Sequence, residues 1–349
     1  MKINYDGSFL MPAQIAGGIA RDSEDLLVKF SEKFEMQIFY PERYFLRKNE
    51  HLHKLKLIKL SQKIASLVLS WLHSSSRYSN QEIYWQSQPG IFIPPRNSIW
   101  ILRLHDLFPI THPRDYSLVQ RKIFARSVEA AVSRAIILVN SSHTKKQLEL
   151  RYGKDIKIFT VPCSQSKFNR FFCNECSLCL NKFNINDRFI LTVGTLFKRR
   201  NQKRLIQFSS NLFYQSNLKI KVVGRFTSPL QRSFLKIKTR GKNIEFLGAI
   251  CDGQLEQMYH SAVAYLTFSK EEGFNIPLLD AICREMPILA SDIPTHRELI
   301  KNENCFDEKA FLEYFKSSSQ NLDLFKVKRP LLKDDFDQLI VFIENLTHA

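Results

Sequence analysis

The chain has 349 residues, 44% of them hydrophobic, and a formal net charge of +17. That length and hydrophobic content are sufficient for two domains with ordinary buried cores. No run of 18 apolar residues occurs, which argues against a membrane-spanning helix. Asp6 interrupts the start of the chain where a secretory signal would need an apolar stretch, so we expect no such signal.

Short apolar strands alternate with helical segments in both halves of the chain. The strand predictions are, in order, 37–40, 98–104, 135–140, 156–162, 189–194, 220–224, 244–248 and 263–267. The helix predictions are 52–73, 118–134, a helix capped by Ser141 and Ser142, a helix that contains 278–286, and a terminal helix at 334–349. Such alternation is typical of α/β folds with parallel sheets.

The strand and helix series runs once and then restarts, which predicts two Rossmann-like domains facing a cleft. We place the boundary near residues 175–187, with an N-terminal domain at 1–182 and a C-terminal domain at 183–349. Residues 1–182 carry 27 Lys and Arg against 15 Asp and Glu, whereas residues 183–349 carry 24 against 19. The basic first half indicates an anionic partner (a lipid headgroup, an anionic glycan or nucleic acid) or simply a solvated basic surface.

The predicted helix at 52–73 has an apolar face with lysines elsewhere. It could attach the protein to an anionic bilayer surface, or it could pack on the core with its lysines exposed.

Two carboxylates, Glu272 and Asp280, stand eight positions apart across a junction between a strand and a helix. Glu272 lies in the loop after the strand, and Asp280 lies about two turns into the helix at 3.6 residues per turn. The start of a helix offers free backbone N–H groups and the positive end of the helix dipole, which suit phosphate. The segment therefore predicts a sugar-nucleotide pocket, with carboxylates for hydroxyls and amides for diphosphate.

The segment 272–291 resembles the signature of retaining GT-B glycosyltransferases of family 4 (group 1), roughly EGFGLPxLEAxAxGxPVVAS. The chain departs from it where Asn275 replaces the second glycine, Asp280 replaces the second glutamate, and Arg284-Glu285 replaces a small residue and glycine. Diffuse similarity extends over about residues 95–300. The resemblance implies the GT-B fold, a nucleotide-sugar donor, sugar transfer with retention, and no required metal or other cofactor.

The resemblance also implies roles for individual residues. Arg199 and Arg200 match the family's phosphate-binding Arg-Lys pair, just after the strand that ends at Gly194, and would stabilise the leaving diphosphate. Asp280 would bind the ribose, and the backbone at Ile250 would lie against the base. Glu272 and the amides of Gly273, Phe274 and Asn275 would hold the sugar hydroxyls and phosphate.

Two further family features fall in the first half. His105, in Leu104-His105-Asp106-Leu107, would face the donor sugar from the first domain. Gly17 and Gly18 would form a loop that lets the backbone approach donor and acceptor, although two adjacent glycines are equally consistent with a plain turn.

One cysteine cluster lies outside the family pattern. Cys173, Cys176 and Cys179 have metal-binding spacing, and Cys163 upstream could be a fourth ligand, but unligated cysteines in an interdomain segment are the other interpretation. The total of seven cysteines is odd and favours a reducing compartment. We therefore expect a cytoplasmic protein, or one held peripherally at the inner membrane surface.

The sequence predicts a glycosyltransferase that moves sugar to a glycan or lipid-linked acceptor in cell-surface polysaccharide or glycoconjugate synthesis. Its basic first domain would contact anionic membrane. A sugar-nucleotide hydrolase or epimerase would share the donor site, and a donor-binding scaffold that has lost catalysis is the alternative from another class. Nucleic-acid binding is suggested only by charge, and the sequence has no recognised base-reading motif, so we expect no nucleic-acid partner.

Overall fold

A computed structural model describes residues 2–6, 18–41, 56–60, 83–91, 93–163, 188–216, 218–316, 322–328, 330, 332 and 334–348. These residues divide into two compact units, the first formed by 2–163 together with 334–348 and the second by 188–332. The predicted boundary at 175–187 lies outside the described residues.

The described strands are β1 (Lys2–Asp6), β2 (Glu35–Pro41), β3 (Lys56–Leu60), β4 (Ile83–Gln86), β5 (Ile99–Leu104), β6 (Ile136–Val139), β7 (Ile158–Thr160), β8 (Phe189–Val193), β9 (Lys219–Val223), β10 (Ile244–Gly248), β11 (Ala264–Thr267) and β12 (Ile288–Ala290). The described α-helices are α1 (Gly18–Ser31), α2 (Phe108–Thr111), α3 (Leu118–Val132), α4 (Ser142–Tyr152), α5 (Gln202–Ser216), α6 (Pro229–Lys238), α7 (Asp252–Ser261), α8 (Ile276–Cys283), α9 (Pro294–Leu299), α10 (Glu308–Lys316) and α11 (Phe336–His348). Short 3-10 helices cover Pro113–Asp115, Lys198–Arg200, Glu303–Phe306 and Leu322–Phe325.

The first unit contains a parallel sheet whose described strands run in the order β3-β2-β1-β4-β5-β6-β7. This is the doubly wound order, in which the chain reverses its direction of travel between β1 and β4. Buried side chains of α1, including Leu26, Leu27 and Phe30, pack on the sheet beside Ile3 and Trp85. Ser141 caps α4 by accepting a hydrogen bond from the backbone N–H of Thr144, as predicted.

The predicted helix at 52–73 is wrong where the structure describes it. Residues Lys56–Leu60 form β3, which pairs in parallel with β2 from Gln37 to Pro41. The spacing of Leu57 and Leu60 matches a helix, but a neighbouring strand satisfies the backbone groups of this segment instead. The rest of the predicted helix, at 52–55 and 61–73, lies outside the described residues.

The last helix, α11, packs on the first unit although the sequence analysis placed it in a domain at 183–349. Its Leu339, Ile340 and Ile343 are buried in the core formed by β1, β4 and α1. At the start of the helix, the carboxylate of Asp335 accepts a hydrogen bond from the backbone N–H of Thr160 in β7 at 2.9 Å. The apolar face of α11 matches this sheet, so the chain returns to the first unit after completing the second.

The second unit repeats the topology with a parallel sheet whose described strands run β10-β9-β8-β11-β12. Here the reversal lies between β8 and β11, and ligands of such sheets bind outside the carboxyl ends of the strands at that point. The core is built from apolar strand residues such as Ile190, Ile220 and Leu266 against Phe208 and Phe311 of α5 and α10. Among the described residues, no helix is long and apolar enough to cross a membrane.

Candidate active site

The turn after β8 brings an arginine against the backbone of Gly194. This glycine has a φ of +148°, and its N–H donates to the carbonyl of Val223 at 2.8 Å. A Cβ built at Gly194 would lie 2.8 Å from Cζ of Arg200. Only glycine therefore leaves room for the guanidinium to lie flat against the end of β8.

The loop after β11 places a buried carboxylate opposite that guanidinium. Nη1 of Arg200 lies 2.5 Å from Oε1 of Glu272, whose side chain is 4% exposed. The backbone of Glu272 is held by Thr295, whose hydroxyl donates to its carbonyl at 2.7 Å. The two predicted residues thus meet at the topological switch point of the second sheet.

Asn275 links this ion pair to a histidine that the sequence analysis missed. Its Oδ1 lies 3.4 Å from Nη1 of Arg200, and its Nδ2 lies 2.9 Å from Nε2 of His296. The backbone of Asn275 has a φ of +72°, and asparagine tolerates this left-handed conformation better than most residues. The departure from the family's second glycine therefore keeps the backbone conformation and adds an amide side chain to the site.

His296 is fully buried and its ring orientation is set by two hydrogen bonds. Nδ1 lies 2.7 Å from the carbonyl of Ser291, so it donates its proton there, and Nε2 is left to accept from Asn275. Burial lowers the pKa of His296 to about 4, with Glu272 and the Ser291 carbonyl opposing the shift and Arg200 adding to it. The imidazole is therefore neutral at physiological pH.

The second predicted carboxylate, Asp280, is 1% exposed and lies inside α8. It shares a buried environment with the ion pair. Burial raises the pKa of the Tyr265 hydroxyl above its usual range, Arg200 opposes this, and Glu272 and Asp280 add to it. All three charges thus act on one buried group, the hydroxyl of Tyr265 in β11.

The other predicted residues of this unit lie around the same edge of the sheet. Gly273 and Phe274 are buried in the loop that leads into α8, and Ile250 is half-buried just after β10. Arg199 stacks over the ring of Phe197 with its Cζ 4.4 Å from the ring centroid, and its carbonyl accepts from the N–H of Lys270 at 2.8 Å. That bond ties the arginine-bearing turn to the loop that carries Glu272.

The first unit has its own buried polar cluster around His105, at the carboxyl end of β5. Arg103 in β5 binds Asp22 of α1 through two hydrogen bonds, of 2.8 Å from Nε and 2.9 Å from Nη2. Nε2 of His105 lies 3.7 Å from the same carboxylate, and Nδ1 lies 3.4 Å from the amide of Asn140. Burial lowers the pKa of His105 to about 4, with Asp22 opposing and Arg103 adding to the shift.

Arg103 also connects β5 to β6 and to the residue that follows β7. Its Nη1 donates to the carbonyls of Val139 and Val161, at 3.1 and 2.7 Å, and its Nη2 lies 3.7 Å from Sγ of Cys163. Burial alone would raise the pKa of Asp22, but Arg103 and His105 hold it below its usual value. The cluster therefore contains a buried ion pair that fixes α1 to β5 directly beneath His105.

The remaining predictions fall at the margin of the described chain. Gly18 begins α1, while Gly17 lies outside the described residues. Cys173, Cys176 and Cys179 also lie outside them. Cys163 is buried beside Arg103, and burial raises the pKa of its thiol well above the usual value.

The family described as Glycosyl transferases group 1 matches residues 181–322. This range contains every residue of the site built in the second unit, from Gly194 to His296. The protein is a glycosyltransferase. His105 and its neighbours lie outside the matched range.

Two curated relatives of this glycosyltransferase carry a named activity. The O-antigen chain mannosyltransferase RfbU of Salmonella typhimurium is 24% identical over 253 residues, which are 70% of this chain and 68% of the relative. The O-antigen chain mannosyltransferase B of Escherichia coli is 22% identical over 230 residues, 61% and 58% of the two chains.

Solved structures establish the fold of this glycosyltransferase. The structure of Anabaena HepE in complex with UDP and glucose matches with a TM-score of 0.68 and 14% identity, covering 100% of both chains. WaaG, a glycosyltransferase involved in lipopolysaccharide biosynthesis, matches with a TM-score of 0.64 and 14% identity, covering 99% of this chain and 94% of its own. The predicted α/β fold of the GT-B type is therefore confirmed.

Proposed function

We propose that this glycosyltransferase moves a hexose from a nucleotide-sugar donor to a glycan or lipid-linked acceptor, with retention at the anomeric carbon, in the synthesis of a cell-surface polysaccharide of the O-antigen type. The observation that carries the proposal is the buried pair of Arg200 and Glu272 at the switch point of the second sheet. The two curated relatives, both named as O-antigen mannosyltransferases, favour mannose as the first sugar to test.

The arginines after β8 serve the leaving group. When the bond between the anomeric carbon and the diphosphate breaks, negative charge develops on the diphosphate, and charge-assisted hydrogen bonds from Arg199 and Arg200 stabilise it. The pairing of Arg200 with Glu272 holds the guanidinium in place before the donor binds. Because two arginine cations are available here, we propose that transfer requires no metal or other cofactor.

The loop into α8 serves the sugar and the nucleoside. Glu272 and the backbone amides of Gly273, Phe274 and Asn275 bind sugar hydroxyls and phosphate, while Asp280 binds the ribose and the backbone at Ile250 contacts the base. From the first domain, His105 contacts the donor sugar. Since His105 is neutral, it can donate or accept a hydrogen bond there without adding charge.

The first domain serves the acceptor. Its excess of Lys and Arg attracts an anionic surface, so we propose that it contacts the cytoplasmic face of the inner membrane, where a lipid-linked acceptor would be presented. Nucleic acid has no role in this proposal. Closure of the protein around the donor would exclude water that otherwise hydrolyses it.

The first test is a thermal-shift screen against UDP-, GDP-, ADP- and CDP-sugars, including a nucleotide-activated mannose. A donor at 100 times its dissociation constant adds roughly 2.7 kcal/mol to the free energy of unfolding, which such a screen detects. We expect one nucleotide class to stabilise the protein and Arg199→Ala to remove that effect. Lys203→Ala, an exposed cation four residues along, is the matched control and should keep it.

Transfer itself separates the alternatives. With the donor that binds, we expect product formation on a glycan or lipid-linked acceptor, an α-linked product from an α-linked donor by NMR, and loss of turnover in Glu272→Ala. Donor binding without turnover on any acceptor would favour the scaffold, and release of free sugar without an acceptor would favour the hydrolase. An inverted product would overturn the retaining mechanism.

A further inference from the structure

Helix α6 in the second unit exposes three large apolar side chains. Leu230 is 83% exposed, Phe234 58% and Ile237 77%, whereas Leu235 is the buried residue of the helix. The three follow one another at intervals of four and three residues, so they lie within roughly 60° of one another around the helix axis. Helices of globular proteins normally turn such a stripe toward the core, and this one faces solvent.

The surroundings of this stripe carry charge of one sign. Between residues 225 and 242 there are six Lys and Arg and no Asp or Glu. They are all exposed, and none forms an ion pair with a described carboxylate: Arg225, Arg232, Lys236, Lys238, Arg240 and Lys242. A solvated surface helix normally mixes acidic with basic residues, whereas this segment has basic residues alone.

The cations lie close to the apolar groups. Nζ of Lys238 lies 5.2 Å from the ring centroid of Phe234, and Cζ of Arg232 lies 5.9 Å from the ring centroid of Phe226. Long basic side chains of this kind place their stems along apolar material and their charged ends in the polar headgroup layer of a bilayer. An amphipathic helix with basic flanks is the common element for lying in that layer.

We propose that α6 and the turn that follows it, residues 229–242, dock the protein on a lipid bilayer that contains anionic lipids. The apolar stripe would enter the boundary between headgroups and acyl chains, and the six cations, five in this segment and Arg225 just before it, would bind lipid phosphates. A second copy of the chain fits this surface poorly, because six cations would face six cations. Nucleic acid would match the charge but leave Leu230 and Ile237 against a polar backbone. The docking surface differs from the first-domain contact proposed above and does not depend on the transfer reaction.

The experiment is co-sedimentation of the full chain with vesicles, without any sugar nucleotide. Vesicles of phosphatidylcholine containing phosphatidylglycerol are compared with vesicles of phosphatidylcholine alone. We expect binding to the anionic vesicles that weakens at high salt, because surface charges are screened there. Lys236→Glu combined with Lys238→Glu should weaken binding at least about tenfold, since each cation contributes roughly 1 kcal/mol, a factor of about five, near an anionic surface.

The apolar stripe is tested by Leu230→Ser, Phe234→Ser and Ile237→Ser together, which should also weaken binding about tenfold or more. The matched control is Leu118→Ser with Val119→Ser, an equally exposed apolar pair on α3 of the first unit. Thermal melting checks that each variant is folded. Unchanged binding in both α6 variants, loss only in the α3 variant, or equal binding to neutral vesicles would overturn the proposal. Tight binding of the full chain to oligonucleotides, lost in the α6 variants, with no binding to vesicles would also overturn it.

Discussion

Replacement of Gly194 by alanine tests whether the position of Arg200 is set by the backbone at the end of β8. The new Cβ would lie 2.8 Å from Cζ of Arg200, 3.0 Å from Nη2 and 3.1 Å from Nε. The backbone there has a φ of +148°, which costs a residue other than glycine about 1–3 kcal/mol. The guanidinium is the end of a flexible side chain, so we expect it to move rather than the strand.

Movement of the guanidinium separates it from Oε1 of Glu272, now 2.5 Å from Nη1 of Arg200. We therefore expect the Gly194→Ala protein to lose about 1–3 kcal/mol of unfolding free energy but to remain folded. The rate of sugar transfer should fall on the order of 100-fold, since a displacement of about 1 Å at a reacting centre commonly has that effect. The assays are denaturant unfolding and the rate of sugar transfer at saturating donor.

The control for Gly194→Ala is Gly153→Ala. Gly153 also has a positive φ, of +95°, but a Cβ there would meet no atom within 4 Å. It should lose a similar amount of stability and keep its transfer rate. Full activity in Gly194→Ala, or an equal loss of activity in Gly153→Ala, would refute the idea that the glycine positions the arginine.

Three further predictions concern stability. His105 and His296 are buried with pKa values of about 4, so between pH 6.5 and 4 the unfolded chain binds more protons than the folded protein. As the pH is lowered from 6.5 to 4, the free energy of unfolding should fall by up to about 3 kcal/mol for each histidine, and below pH 4 it should level off. A free energy of unfolding that does not change with pH would contradict this. Asp22→Asn leaves Arg103 buried without its countercharge and should cost about 3–5 kcal/mol in urea unfolding, a loss below 1 kcal/mol being the contrary result. Glu285 has a φ of +52°, which glycine adopts without strain, so Glu285→Gly should leave the free energy of unfolding unchanged or raise it by up to about 1 kcal/mol. Glu313→Gly, inside α10, is the control and should lower the free energy of unfolding by about 1 kcal/mol. Equal losses in the two variants would contradict the strain at Glu285.

Apolar runs in the sequence predict the central strands well. Those at 98–104, 135–140 and 189–194 are confirmed as β5, β6 and β8, because a strand covered on both faces needs a continuous run of apolar residues. The segment at 56–60 was mistaken for a helix because its leucine spacing fits one, and only pairing with β2 determines that it is a strand. Strand β4 was missed, since its four residues, Ile83–Gln86, are too few to show a pattern.

The second-unit site could be predicted because its residues lie in local motifs. Glu272, Asp280 and the arginines after β8 each belong to a short segment that can be compared with a family. The first-unit cluster could not be predicted in the same way. Asp22 and Arg103 are 81 positions apart, and they meet only because α1 packs close to β5 in the folded protein. The sequence offers one weak indication of His296, namely that it is a polar residue soon after the buried strand β12. Its place in the site depends on its hydrogen bond to Asn275, which the sequence does not reveal.

Two of the departures from the family signature, Asn275 and Glu285, share a backbone feature. Asn275 and Glu285 replace two of the three glycines of the signature, and both have a positive φ, of +72° and +52°. A glycine in a family pattern indicates a left-handed conformation, and these substitutions retain that conformation while adding a side chain to it. At Asn275 the added amide binds His296 and lies beside Arg200, so it contributes to the site. At Glu285 the side chain is exposed and forms no hydrogen bond or ion pair among the described residues, although its charge makes a minor contribution to the raised pKa of Lys326. Asn275 therefore adds an amide to the candidate site, whereas we expect Glu285 to affect only the stability of the turn after α8.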